Sequence, residues 1–218
     1  MPYSSQSSSI PSRIPWAAVS FTATYLIMAT AGAVWTGNAE FVIYIGVMLL
    51  LIGAIGIVHR RVGLTRGLLW ALSLWGLAHM AGGLVPVPKS WPIKGNVPVL
   101  YSWWLIPNVL KFDHLVHAYG FGVTTFLCWE GLRAIIAGES ERNVIRPTVG
   151  MLVLCVAAAL GFGALNEVVE FAATLLVPET NVGGYINTGW DLVSNAVGAG
   201  LAASLIGGHN LRGARRSD

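Results

Sequence analysis

Apolar residues run through this chain in long blocks, and the polar residues that interrupt them fall at a few helically spaced positions. The blocks cover 16–36, 41–58, 67–85, 112–136, 148–177 and 188–206. Each approaches or exceeds the roughly 20 residues that a helix needs to cross a hydrocarbon core of about 30 Å. The pattern predicts an all-α, polytopic membrane bundle of about six transmembrane helices, forming one domain over 16–207. Before it lies a Ser- and Pro-rich stretch, 1–15, expected to be disordered, and after it a basic tail, 208–218. The connection 86–111 carries Pro86, Pro88, Pro92, Pro98 and Pro107 among Trp91, Tyr101, Trp103 and Trp104, so it cannot form one regular helix. It reads either as an interfacial loop, where Trp and Tyr favour the headgroup level, or as a lid over a site.

Composition agrees with that reading. The 218 residues are 55% hydrophobic and 11% charged, with a mean hydropathy of +0.65, too apolar for the surface of a water-soluble globule. The partner implied is the lipid bilayer. A sequence pI near 9.1 does not imply nucleic acid, because the basic residues sit in short clusters at segment ends, where membrane topology explains them. Cys128 and Cys155 both fall inside apolar blocks and read as small buried residues. Ala29-Thr30-Ala31 resembles a cleavage site, but the block continues apolar past it, so a retained first helix is expected.

Charge then gives an orientation. With six spans, one side holds Arg13, Arg60, Arg61, Arg66, Arg133, Arg142, Arg146, Arg212, Arg215 and Arg216, and the other only Lys89, Lys94 and Lys111. The positive-inside tendency therefore places both termini in the cytoplasm and the 86–111 loop outside.

Orientation sets depth. Asp113, His114 and His117 fall in the outer turns of the fourth helix, and Asp191 and Asn195 in those of the sixth. Glu167 and Glu170 lie in the last third of the outward-running fifth, and His79 in the outer half of the third. Glu130 lies in the cytoplasmic half, three residues from Arg133, with which it is expected to pair. Asp113 and His117, and Asp191 and Asn195, are spaced i,i+4, while Glu167 and Glu170 are i,i+3, so each pair projects from one side of its helix. An acidic residue at mid-bilayer is unfavourable by about 2.5–3.5 kcal/mol, so these groups are expected to be paired, hydrated or protonated inside the bundle. Ser194, Gly198 and Ala202, and likewise Ala196 and Gly200, form small-residue faces along which helices can approach. No internal repeat marks a duplicated transporter.

Asp113-x-x-x-His117, Glu167-x-x-Glu170 and Asp191-x-x-x-Asn195-x-x-Gly198, in that order, resemble the signature of VanZ-like membrane proteins and of the related YjdF-like inner-membrane family. The resemblance covers roughly 75–201. It departs from VanZ-like chains at His114, where Lys is usual, and at Glu170, where Gln is common; the second agrees with the YjdF-like pattern. It implies a small polytopic protein of the inner membrane.

Three functional readings follow. The first is a membrane-embedded enzyme acting on a lipid or lipid-linked substrate from the external leaflet. Asp113, His117, Glu167, Glu170, Asp191 and Asn195 would be its working groups, and His79, His114, His117, Glu167, Glu170 and Asp191 the candidate ligands of a divalent metal. Mixed imidazole and carboxylate donors suit zinc, iron or manganese, although no His-Glu-x-x-His motif is present. The second is a proton- or cation-coupled transporter using the same groups as a relay. The third is a polar network that fixes helix register without catalysis.

Overall fold

Chain punctuation sets the helices. The structure, a computed structural model, describes residues 14–141, 144–178, 180 and 182–214, with side chains throughout except at 138–141 and 209–214. The stretch 1–13, with Arg13, lies outside the described residues, as do Arg142, Arg215, Arg216 and the side chain of Arg212. Six helices occur among the described residues: α1 (Trp16–Thr36), α2 (Ala39–Val62), α3 (Arg66–Leu84), α4 (Phe112–Glu141), α5 (Val149–Leu176) and α6 (Tyr185–Ala214). Gly37 ends α1 in the left-handed conformation that only glycine adopts without strain, at φ 65°. Asn38 then caps α2 by accepting from the Phe41 N–H, and Thr65 and Thr148 cap α3 and α5 in the same way.

The chain is a multi-pass membrane protein. Helices α1, α2, α3 and α5 are each long and apolar enough to cross a bilayer. Their outward residues are apolar and open, as with Trp35, Leu50 and Leu175, because lipid is the solvent there. Helices α4 and α6, at 30 residues each, are long enough but less apolar, and they form the central pair. Helix α5 packs on both, α3 packs on α4, α2 touches both α3 and α4, and α1 packs on α3 and α2.

Backbone contact holds the central pair together. A Cβ placed on Gly198 would overlap the Ala118 carbonyl, and one on Gly122 would stand 3.2 Å from the Gly198 oxygen. The Ser194, Gly198, Ala202 face is buried. The Ala196, Gly200 face is not a packing face: Ala196 is exposed and nothing lies within 4 Å of a Cβ on Gly200. Spacing alone cannot separate a small residue that meets a helix from one that meets lipid. Cys128 and Cys155 are free thiols in the apolar cluster around Trp129 and Ile206.

At the end expected from charge to be cytoplasmic, Glu130 reaches Thr65 on the neighbouring helix start. Its two oxygens accept from the Thr65 N–H at 2.9 Å and the Thr65 hydroxyl at 2.6 Å, which ties the start of α3 to α4. The Arg133 guanidinium lies over the Trp129 ring at 5.2 Å.

The proline-rich connection is folded. Leu100–Ser102 form a 3-10 turn, and a short strand β1 (Trp104–Ile106) pairs antiparallel with β2 (Leu110–Lys111). Isolated bridges join Pro86 to Val99 and Ile93 to Trp103. The prolines exclude a helix but leave room for short ladders. Strand β2 runs directly into α4, which begins at Phe112, the first residue of the apolar block 112–136.

Candidate functional site

The first turns of α4 carry the centre of a buried polar layer. Asp113, His114 and His117 are all buried, as are Asn187, Asp191 and Asn195 on α6. Because Asn187, Asp191 and Asn195 are spaced by four, they form one stripe along α6 that faces α4.

Lys111 is the cation of this layer. It is only 5% exposed, and its ammonium donates to Asp113 Oδ2 at 2.9 Å and to Asn187 Oδ1. Asn187 in turn donates to Asp191 Oδ2 at 2.6 Å and to Asp113 Oδ2 at 3.4 Å. Charge alone placed Lys111 among the external anchors. Strand β2 instead turns it inward, where a charged donor offsets two buried acids.

His117 links three helices. Its Nε2 lies 3.6 Å from Asp113 Oδ1, and its Nδ1 lies 3.0 Å from Asn195 Oδ1 and 3.9 Å from Glu167 Oε1. Two sets of side chains can bring ligand atoms within 4.8 Å of one another: Asp113, His117 and Asp191, and His117, Glu167 and Glu170. Glu170 accepts from Asn166 at 2.9 Å. Both Glu167 oxygens, Asp191 Oδ1 and Asn195 Nδ2 are buried without a hydrogen-bond partner.

His79 and His114 fall outside both sets. His114 is held by aromatic rings, stacked on Trp190 at 6.0 Å and edge-on to Trp104, and its Nδ1 accepts from the Lys111 N–H at 3.3 Å. His79 bonds through Nδ1 to the Tyr101 hydroxyl, while the Tyr101 ring packs over Gly82. Burial, with Asp113 and Glu170 nearby, pushes the Tyr101 phenol well above its usual range. It therefore keeps its proton and donates to His79, fixing the connection on α3.

Above the layer is a cavity of about 580 Å³. Asp113, Lys111, Glu170 and His79 line its floor, Lys94–Val97 and Tyr101 come from the connection, and Glu40 and Tyr44 from the start of α2. Sequence reasoning missed Lys111, Asn187, Tyr101, Glu40 and Tyr44. The four-residue stripe from Asn187 could have been found, and so could the i,i+4 pair Glu40 and Tyr44; the bond between Tyr101 and His79 joins positions with no local pattern.

The family described as predicted membrane protein (DUF2238) matches residues 16–212. The chain belongs to this family. In this DUF2238 protein the matched span includes the first five helices, the sixth up to residue 212, and every residue of the polar layer. No curated protein and no solved structure matches it.

Proposed function

We propose that the cavity is the active site of a metal-dependent membrane enzyme that acts on a lipid or lipid-linked substrate from the external leaflet. Within the broader family, the ordered motifs support a kinship with YjdF-like and VanZ-like proteins of the inner membrane, and the distribution of Lys and Arg supports cytoplasmic termini. The observation that carries the reading is His117, shared between two carboxylate sets beneath a cavity and beside buried acid oxygens that lack partners. Buried acids without hydrogen bonds are strongly unfavourable as anions, and a divalent cation is a species that satisfies several of them at once.

The donors favour one set. Asn195 Oδ1 only accepts, so His117 Nδ1 carries the proton and Nε2 turns its lone pair toward Asp113 and Asp191. His117, Asp113 and Asp191 would hold zinc, iron or manganese, and such a metal supplies a Lewis acid and an activated water. Glu167 and Glu170, on the other side of the imidazole, remain to move a proton. Transport is less well supported. On α2 to α6, no charged or imidazole side chain lies between this layer and Glu130 or the helix ends, whereas a relay needs groups through the full depth.

Metal analysis of the purified protein tests this. Wild type is expected to hold about one equivalent of a divalent metal, His117→Ala and Asp191→Asn to lose nearly all of it, and Glu167→Gln to keep it. Wild type without stoichiometric metal overturns the metal reading, and loss in Glu167→Gln alone transfers the ligand role to the α5 set. Orientation has its own test. With Cys128 and Cys155 replaced by Ala, a cysteine replacing Trp91, which is 39% exposed, is expected to react with an impermeant maleimide from outside. Labelling only from the cytoplasmic side reverses the topology.

A further inference from the structure

The cavity has two walls of different chemistry. One carries Lys111 and Asp113 from the polar layer, with Lys94 above them. The other is built by α2, where Glu40, Phe41 and Tyr44 are all buried. Glu40 and Tyr44, spaced i,i+4, share a face, and Glu170 of α5 lies within electrostatic range of both. The Tyr44 residue is 7% exposed, and its hydroxyl makes no hydrogen bond of ordinary geometry.

We propose that the α2 wall binds the primary ammonium of a phospholipid headgroup, so that the substrate class is an amine-bearing, zwitterionic lipid; this rests on the reading of the cavity as a lipid-processing site. A primary ammonium has three N–H donors and no acceptor. Glu40, Glu170 and the Tyr44 hydroxyl offer oxygens to it, and Phe41 and Tyr101 add ring faces that attract a cation. The phosphate finds Lys94 in the lining of the same cavity. Among the described residues, Glu40, Glu170 and Lys94 line this space together with the Lys111–Asp113 ion pair, so both poles of a zwitterion meet opposite charge, whereas a purely anionic headgroup meets mostly like charge. Lys94 is set in place by its N–H donating to the Ser102 carbonyl at 2.8 Å. The chains of such a lipid stay in the bilayer along exposed apolar residues next to these acids, Val42 on α2 and Phe171 on α5.

Titration of the full chain in detergent with short-chain phosphatidylethanolamine, phosphatidylcholine and phosphatidylglycerol, read by native mass spectrometry, tests the proposal. Phosphatidylethanolamine is expected to bind about tenfold more tightly than either of the others. Glu40→Gln and Tyr44→Phe are each expected to remove about tenfold of that affinity while leaving phosphatidylglycerol binding and metal content unchanged. Tyr44→Phe takes away one oxygen and keeps the ring, so its effect is not one of misfolding. Equal binding of the three headgroups overturns the proposal, as does unchanged affinity in both variants. Headgroup preference in a protein without metal keeps this inference and removes the metal from the preceding one. Bound metal without headgroup preference does the reverse.

Discussion

Lys111→Met is expected to destabilise the bundle by about 3–5 kcal/mol, the range for removing one partner of a buried ion pair. Met keeps most of the volume and deletes the charge, so the loss is electrostatic. The Asp113 carboxylate, 2.9 Å from the Lys111 ammonium, is left buried with only the Asn187 amide as donor, and the Asn187 carbonyl loses its donor as well. Unfolding in mixed micelles with increasing dodecyl sulfate measures the change. Adding Asp113→Asn to Lys111→Met is expected to restore a large part of the stability, because the second substitution removes the orphaned charge. Strictly additive effects in that cycle would mean that the pair is not coupled, and the account of the layer as charge-compensated would fail.

The second large effect is at Gly198. Even alanine does not fit there, since the added Cβ overlaps the Ala118 carbonyl. Gly198→Val is expected to lose at least about 3 kcal/mol, at or beyond the upper end of ordinary overpacking, because the obstacle is backbone and cannot rotate away. The helices must separate instead. Ala118 adjoins His117, and Gly198 lies one turn from Asn195, so separation pulls apart the 3.0 Å bond between them. Metal content and stability are expected to fall together. Gly200→Ala is the control: a Cβ there meets nothing within 4 Å, so stability is expected to stay within about 0.5 kcal/mol of wild type. Equal losses at the two positions would argue against a backbone crossing at Gly198.

How much of this can be read from the chain differs between its levels. The helices are legible because lipid imposes a length and a polarity on each span, and Gly37, Thr65 and Thr148 mark their ends by local chemistry. The acids and His117 are legible as a group because ionisable residues inside apolar blocks are conspicuous. Lys111, Tyr101 and Glu40 are not, because each stands near a segment end, where charge and aromatic rings ordinarily belong to the interface. Their burial depends on how 86–111 folds back, which rests on contacts between distant residues. His79 and His114 show the reverse. Both look like ligands in the sequence, and in the structure one is held by Tyr101 and the other by Trp190 and Trp104.

The Glu130 clamp on Thr65 has a consequence for access. It fastens α3 to α4 at one end of the pair, while Tyr101 on His79 and the ladder into Lys111 fasten them at the other. Two helices bolted at both ends form a rigid frame, and the covering connection is part of that frame. A route into the cavity that leaves these fastenings whole is therefore expected beside the start of α2, where Glu40 and Tyr44 line the cavity. A substrate entering there would meet Glu40 and Glu170 first, with the proline-rich connection standing still.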